Sequence, residues 1–251
     1  MAFKDHFSGH AGEYSKARPG YPAALFEWLA ENAPGKDLAW DVGTGNGQAA
    51  RPLAQHFKHV HATDASRAQL SHTTGSSRIT FRVEAAEACS LRDASVDLVT
   101  IAQALHWFDL PAFYQEVRRV LRPGGLLVAW TYQLNRIDPV VDALVEAFYD
   151  QVIGAYWPPE RVHVEQGYQD LPFPFDEIEV PDMPLVSIMS LDDYLAYMDT
   201  WSAVRRYRAA NGEDPLKLLK EPLKAAWGEG IYTRRVTWPL VARAGRRLAD
   251  V

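Results

Sequence analysis

The sequence predicts an α/β fold organised around a parallel sheet, and three observations carry that prediction. Short apolar runs alternate with helical spacing between Leu38 and Tyr132; a glycine-rich turn follows the first run; and most runs are too short and too rich in Val, Ile, Thr or aromatic residues to stand as helices. In order, the strands are LAWDV (38–42), HVHATD (59–64), ITFRV (79–83), DLVTIA (97–102) and LLVAWTY (126–132). After the first, the chain turns into a helix containing Leu53, Ala54 and Phe57. Before the last, Phe113, Val117, Val120 and Leu121 recur at helical intervals over 110–121. Asp109 stands at the N-cap position of that helix, and Pro123-Gly124-Gly125 ends it and turns the chain.

Beyond Tyr132 the pattern changes. Asp138-Pro139 opens a helix with Val141, Leu144, Val145, Phe148 and Val152 on one face. From Trp157 to Pro184, prolines at 158, 159, 172, 174, 181 and 184 restrict regular structure to short pieces, with an edge strand expected around 175–180. Ser190-Leu191-Asp192-Asp193 has the form of a capping box, with Asp in place of Glu or Gln, ahead of a helix that carries Leu195, Met198 and Trp201 on one side. Helical spacing resumes from Asp214-Pro215 to Gly228, where Pro222 is expected to kink or divide the helix. Val236, Trp238, Leu240 and Ala242 then alternate as in one half-buried strand.

A chain of 251 residues, 47% of them hydrophobic and 23% charged, has ample material for a core. With 26 Lys plus Arg against 32 Asp plus Glu, its formal charge is −6, so it lacks the broad positive field that a nucleic acid backbone requires. Cys89 is the only cysteine, which excludes an internal disulfide and a multi-cysteine zinc site and suits a reducing compartment. MAFKDHFSGH at the start has no apolar stretch of the kind a secretion signal needs, and runs such as LLVAW (126–130) fall far short of the ~20 residues that span a bilayer. The expectation is a cytoplasmic protein, monomer or homodimer, with no nucleic acid or membrane partner. No His, Cys or carboxylate set has metal-ligand spacing.

The most informative stretch is Asp41-Val42-Gly43-Thr44-Gly45-Asn46-Gly47, a turn between a strand and a helix. Glycines at alternate positions let a ligand lie against bare peptide at the carboxyl end of the first strand. The dinucleotide fingerprint needs a third glycine three places after the second, where Gln48 stands, and no Gly-Lys-Ser or Gly-Lys-Thr follows for a phosphate loop. A second acid, Asp64, closes the second strand, where its carboxylate can accept two ribose hydroxyls; Asp41 is placed for a ligand's cationic amino group. A ligand with a ribose, an ammonium, a sulfonium and no phosphate is S-adenosyl-L-methionine.

The motifs resemble those of the class I S-adenosylmethionine-dependent methyltransferases. DVGTGNG is similar to the first motif, ATDAS to the second-strand acid, VEAAEACSLRDASVDLVT to the third-strand loop and fourth strand, and RRVLRPGGLLVAW to the following helix, turn and strand, together covering about 40–130. EYSKARPGYP, AQALHWFD and TWSAVRRY further resemble the subgroup of fungal trans-aconitate methyltransferase-like enzymes. The resemblance implies a Rossmann-like, seven-stranded, mostly parallel sheet with helices on both faces. The core would be about 37–132 plus C-terminal strands, within one domain capped by 1–36 and part of 133–230. It also implies roles: Gly43, Thr44, Gly45 and Gly47 line the methionine moiety, Asp41 meets its ammonium, Asp64 with Ala65 holds ribose and adenine, and Gln103 and Ala104 flank the sulfonium. Many relatives have Gly-Asp-Ala at the third-strand loop, where this chain has Glu84-Ala85-Ala86, so the backbone near Ala86 or the Glu87 side chain stands in as the adenine acceptor. Tyr14 and Arg18, in YSKARPGYP, would close over the methionine end as a lid, or form a rigid surface turn.

On the acceptor side, the strand exit Gln103-Ala104-Leu105-His106-Trp107-Phe108-Asp109 lacks the Asn/Asp-Pro-Pro-aromatic sequence of enzymes that methylate base or amide nitrogens. Its aromatic pair with a histidine suits a small acceptor in an apolar pocket. His106 and Trp107 are the candidate catalytic residues. His106 serves either as a general base toward an alcohol or phenol or as a hydrogen-bonding wall, and a carboxylate acceptor, already ionised, would need no base. Tyr132, Trp201 and Arg205 are candidate acceptor-binding residues, with Arg206 and Arg208 as further cations for an anionic acid. The expected reaction is O-methylation of a small carboxylic acid or hydroxyl compound. A nicotinamide-dependent oxidoreductase and a non-catalytic S-adenosylmethionine-binding relative are the alternatives.

Overall fold

A computed structural model describes residues 18–71, 73 and 76–248. Tyr14 and the amino-terminal part of the expected lid lie outside the described residues. The strands are β1 (Leu38–Val42), β2 (His59–Asp64), β3 (Ile79–Val83), β4 (Val96–Ala102), β5 (Leu121–Tyr132), β6 (Asp176–Ile178), β7 (Leu185–Met189), β8 (Arg234–Trp238) and β9 (Leu240–Arg246). Seven of them form one sheet in the order β3-β2-β1-β4-β5-β9-β6. The first five pair in parallel, whereas β9 runs antiparallel to both β5 and β6.

Helices cover both faces because alternate residues of each strand point to opposite sides. Ala39, Leu98, Leu126, Val128 and Trp130 pack on one side with α1 (Ala23–Asn32) and α2 (Ala50–His56), through Leu25, Phe26, Leu29 and Leu53. Their neighbours Trp40, Val99, Leu127 and Ala129 pack on the other with Phe113, Val117 and Val120 of α4 (Leu110–Val120). A four-residue helix, α3 (Arg67–Leu70), is capped by the Ser66 side chain, which accepts from the amide of Gln69. As expected, Asp109 caps α4, accepting from the amide of Ala112. Strand β5 already begins at Leu121: that residue pairs with Val96, and the Pro-Gly-Gly turn is absorbed as a register shift before Leu126 meets Leu98.

The remaining helices are α5 (Pro139–Ala147), α6 (Arg161–Glu165), α7 (Leu191–Asp199), α8 (Ser202–Asn211) and α9 (Leu216–Trp227). Asp138 caps α5 by accepting from the amides of Val140 and Val141, and the helix runs on as a wider π-turn over Phe148–Val152. The capping box at Ser190 is complete, with the Asp193 side chain accepting from the Ser190 amide in return. Three details differ from the sequence reading. Trp201 lies beyond α7, as the N-cap residue of α8. Pro222 does not divide α9 into two elements, and it sits on the exposed side, where water can satisfy the carbonyl it leaves without an amide partner. The single strand expected over 236–242 is two: Pro239, with no amide to give to a ladder, ends β8 and releases β9 into the other sheet. Its carbonyl still accepts from Gln133 N at 2.9 Å. β8 pairs with β7, a strand the surrounding prolines had hidden. Among the described residues, no helix is long and apolar enough to cross a membrane.

Tyr194 and Tyr197 of α7 are buried in the shared core, so the cap at Ser190 stabilises a helix that the site depends on. Ser190→Ala lowers unfolding stability by about 1 kcal/mol, and Ser190→Thr restores most of it, as read by urea denaturation.

Candidate functional site

The glycine turn lies between β1 and α2, where β1 neighbours β4 and the strand order reverses after the crossover from β3, which in an open α/β sheet is the place for a ligand. Gly43, Gly45 and Gly47 all have positive φ, at 65°, 56° and 81°. At Gly43 a Cβ would stand 2.7 Å from that of Ala104, so the turn and the β4 exit touch only because this position is glycine.

Two carboxylates hold the turn. Asp41 is fully buried; it accepts from the hydroxyl of Thr44 at 2.5 Å on Oδ2 and from that of Thr100 at 2.8 Å on Oδ1. Burial pushes its carboxyl up to about 6, partly offset by those two hydroxyls. The side chain faces inward and ties the turn to β4. Asp64, half-buried, accepts from Gly45 N at 2.9 Å on Oδ2 and from Ser66 N at 2.8 Å on Oδ1. Ala65 beside it is exposed, Ala86 is buried, and Glu87 accepts from Asp109 N at 2.9 Å, so that carboxylate already holds the start of α4.

At the β4 exit, Gln103 adopts φ 60°, a conformation that costs a residue with a side chain, and its side-chain nitrogen is buried without a partner among the described residues. Gln103 lines a cavity of about 190 Å³ that also involves His106, Trp107, Tyr132, Tyr149, Trp157, Tyr197 and Trp201. Its charged lining residues are Arg18, Arg161, Arg205 and Arg206, with no Asp or Glu among the described lining residues. Arg18 donates to the Tyr132 hydroxyl at 2.8 Å and to Thr200 Oγ1 at 3.4 Å, joining the amino-terminal stretch to β5 and to the end of α7. Arg161 donates to the Tyr149 hydroxyl at 2.7 Å and lies over the rings of Tyr149 and Trp157. Arg208 is not part of the cavity lining, because Asp199 and Asp214 hold its guanidinium.

His106 lies against Trp107, with ring centroids 4.6 Å apart, and its Nδ1 is 3.1 Å from the Tyr168 hydroxyl. Burial pushes the imidazole down to about 3, with the charges of His163 and Arg161 acting the same way. It is neutral at physiological pH and a weak base.

Residues 40–129 match the methyltransferase-domain family. A Dictyostelium discoideum protein named a methyltransferase is 37% identical over 229 residues, covering 90% of this chain and 87% of that protein. The solved structure of an Anaeromyxobacter dehalogenans protein, named a type II methyltransferase, superposes with a TM-score of 0.88 at 48% identity, covering 93% of this chain and 99% of that one. The chain belongs to the class I S-adenosylmethionine-dependent methyltransferases. A Saccharomyces cerevisiae protein named an S-adenosylmethionine-dependent methyltransferase is 33% identical over 132 residues, covering 49% of this chain and 45% of that protein. The nicotinamide reading of the glycine turn is not favoured by this membership.

S-adenosylmethionine is the cofactor of this methyltransferase, and the residues present fit it. The turn offers bare backbone, Asp64 places a carboxylate beside it, and Gln103 offers an unsatisfied amide under strain at the junction of turn and cavity. The structure brings His106, Trp107, Tyr132, Trp201, Arg205 and Arg206, read on the acceptor side, to one cavity together with Gln103 and Arg18, read on the cofactor side, and adds Tyr149, Trp157, Arg161, Tyr197 and Thr200. Arg161 and Trp157 fall in the proline-rich stretch, where no periodicity marked them; TWSAVRRY was the signal that contained Thr200 and Arg206.

The titration of Asp41 gives a pH test of the turn. Its folded value of about 6 lies above the ordinary 3.8, so the native protein holds the proton more tightly, and stability falls as pH rises between those values. Asp41→Asn has no such loss. The stability of the variant relative to wild type therefore climbs from pH 4 to pH 6 and levels off above, in urea denaturation across that range; a flat difference would place the Asp41 titration elsewhere.

Proposed function

We propose that this methyltransferase transfers the methyl group to a carboxylate oxygen of a small organic acid. One observation carries the reading: a cavity of about 190 Å³ that opens at the β4 exit, walled by aromatic rings, with Arg18, Arg161, Arg205 and Arg206 as its charged lining residues. Guanidinium groups match carboxylate geometry, and the rings keep water from the oxygen that must react. The likeness of EYSKARPGYP, AQALHWFD and TWSAVRRY to trans-aconitate methyltransferase-like enzymes supports the same substrate class.

The weak basicity of His106 agrees with this choice of acceptor. A carboxylate is ionised at neutral pH and needs no proton removed, whereas an alcohol would need a base that an imidazole titrating near 3 does not provide. When bound, S-adenosylmethionine supplies an electrophilic methyl group on a sulfonium. The chain's own task is to hold an oxygen lone pair in line and dry. In this reading Gly43, Thr44, Gly45 and Gly47 line the methionine end of the cofactor site, while Asp64 and Ala65 take the ribose. Ala86 and Glu87 border the adenine, Gln103 and Ala104 flank the sulfonium, and Arg18 closes over the methionine end. His106, Trp107, Tyr132, Trp201 and Arg205 hold the acceptor.

The test is a screen of small acids, phenols and amines with methyl-labelled cofactor. Acids acquire label that mild alkali releases, as expected of a methyl ester. Alkali-stable label on phenols or amines overturns the reading, and tight cofactor binding without transfer to any acceptor points to the non-catalytic alternative. Asp64→Ala weakens cofactor binding by about 1–3 kcal/mol in calorimetry, through lost hydrogen bonds to a charged group; unchanged binding removes Asp64 from the site. His106→Ala lowers kcat/KM by the same factor at every pH from 6 to 8. Loss of an acid limb in that range would instead make His106 a base.

A further inference from the structure

We propose that Tyr168 is a positioning residue for this site: its phenol fixes His106 as the tautomer protonated on Nε2, so that the acceptor cavity meets an N–H donor. The proposal rests on the acid-methylating reading above, since a donor at that position serves an anionic oxygen.

Tyr168 was not marked by the sequence, and its backbone is the unusual feature. It holds φ 63°, costly for a bulky aromatic residue, and it is fully buried. The surroundings over-determine that conformation. Gly167 before it, also at positive φ, packs against Val241. The Tyr168 amide donates to His163 O at 2.8 Å. Its carbonyl accepts from Arg243 at 3.0 Å, and Arg243 is in turn paired with Glu177 at 2.6 Å. All this holds a ring whose single polar atom ends 3.1 Å from Nδ1 of the cavity histidine. The imidazole packs against the rings of Trp107 and Tyr168, with ring centroids at 4.6 and 5.8 Å, which restrict its movement.

The direction of the bond follows from what surrounds the phenol oxygen. Nδ1 of His106 is its hydrogen-bond partner among the described residues, and the Thr131 hydroxyl makes no hydrogen bond, so no other group takes the phenol's proton. Burial keeps the phenol protonated. Its own proton is then directed to Nδ1, and a neutral imidazole that accepts at Nδ1 carries its hydrogen on Nε2. Tyr168 is the hydrogen-bond partner of Nδ1, and the ring lines the cavity, which leaves Nε2–H for an acceptor oxygen.

The test uses the full chain labelled with ¹⁵N-histidine. In the wild type, His106 gives an Nδ1 resonance of the unprotonated type and an Nε2 resonance of the protonated type. Tyr168→Phe removes the hydroxyl and keeps the ring; the His106 signals move toward a mixture of tautomers, and KM for the acid acceptor rises about tenfold, with kcat changed far less. His106→Gln, which can still present an N–H donor, retains more acceptor affinity than His106→Leu. A wild-type Nδ1–H tautomer overturns the proposal, as does a Tyr168→Phe variant with unchanged His106 signals and KM. If Tyr168→Phe does not fold, the wild-type tautomer and the two His106 variants decide the matter. If the screen finds a non-acid acceptor while the Nε2–H tautomer is present, the substrate reading fails and the Tyr168 assignment stands.

Discussion

A carboxylate removed from water must be given donors by the protein, and the structure spends two hydroxyls on that task at Asp41. Thr44 belongs to the glycine turn and Thr100 to β4, so satisfying one buried charge also draws the turn against the neighbouring strand. Asp64 secures the other side of the same turn through the amide of Gly45. With both flanks tied, the glycines are free to present backbone outward, and Gly43 can lie against Ala104 where a side chain would collide. The crevice is thus a by-product of how two acids on adjacent strands are paired.

The acceptor cavity is assembled from stretches far apart in sequence. Arg18 comes from the amino-terminal segment, Gln103 to Trp107 from the β4 exit, Tyr132 from the end of β5, and Tyr149 to Arg206 from the region between β5 and β8. Arg18 joins three of these stretches through Tyr132 and Thr200. Aromatic contacts, such as those linking Tyr149, Trp157 and Trp201, give the wall its stiffness without needing polar partners.

Much of the core was legible in the sequence because its signals are local. Strand alternation, the glycine turn, the Asp109 and Asp138 caps and the Ser190 box are all fixed by residues within a few positions of one another. What escaped is non-local. Nothing near Asp41 announces that Thr100, 59 residues away, will take up its carboxylate. Tyr168 looks like any aromatic residue in a proline-rich segment until the fold sets its hydroxyl against His106. Pro239 broke a run whose period-two pattern was correct on both sides, because periodicity reports burial and says nothing about which sheet a strand joins.

That proline has a further implication for how such a chain can be remodelled. Strand β8 belongs to a two-stranded sheet and β9 to the large one, and a single residue separates them. The same Pro239 carbonyl is bonded to Gln133, directly after β5, so the chain leaves β5 and enters β9 at adjacent points. Residues 133–238 thus form an insertion with a shared doorway that also lends β6 to the central sheet, so a block exchanged there has to bring its own edge strand for β9. A shorter graft ending at Trp227 would strand β8 without the partner it was shaped to meet.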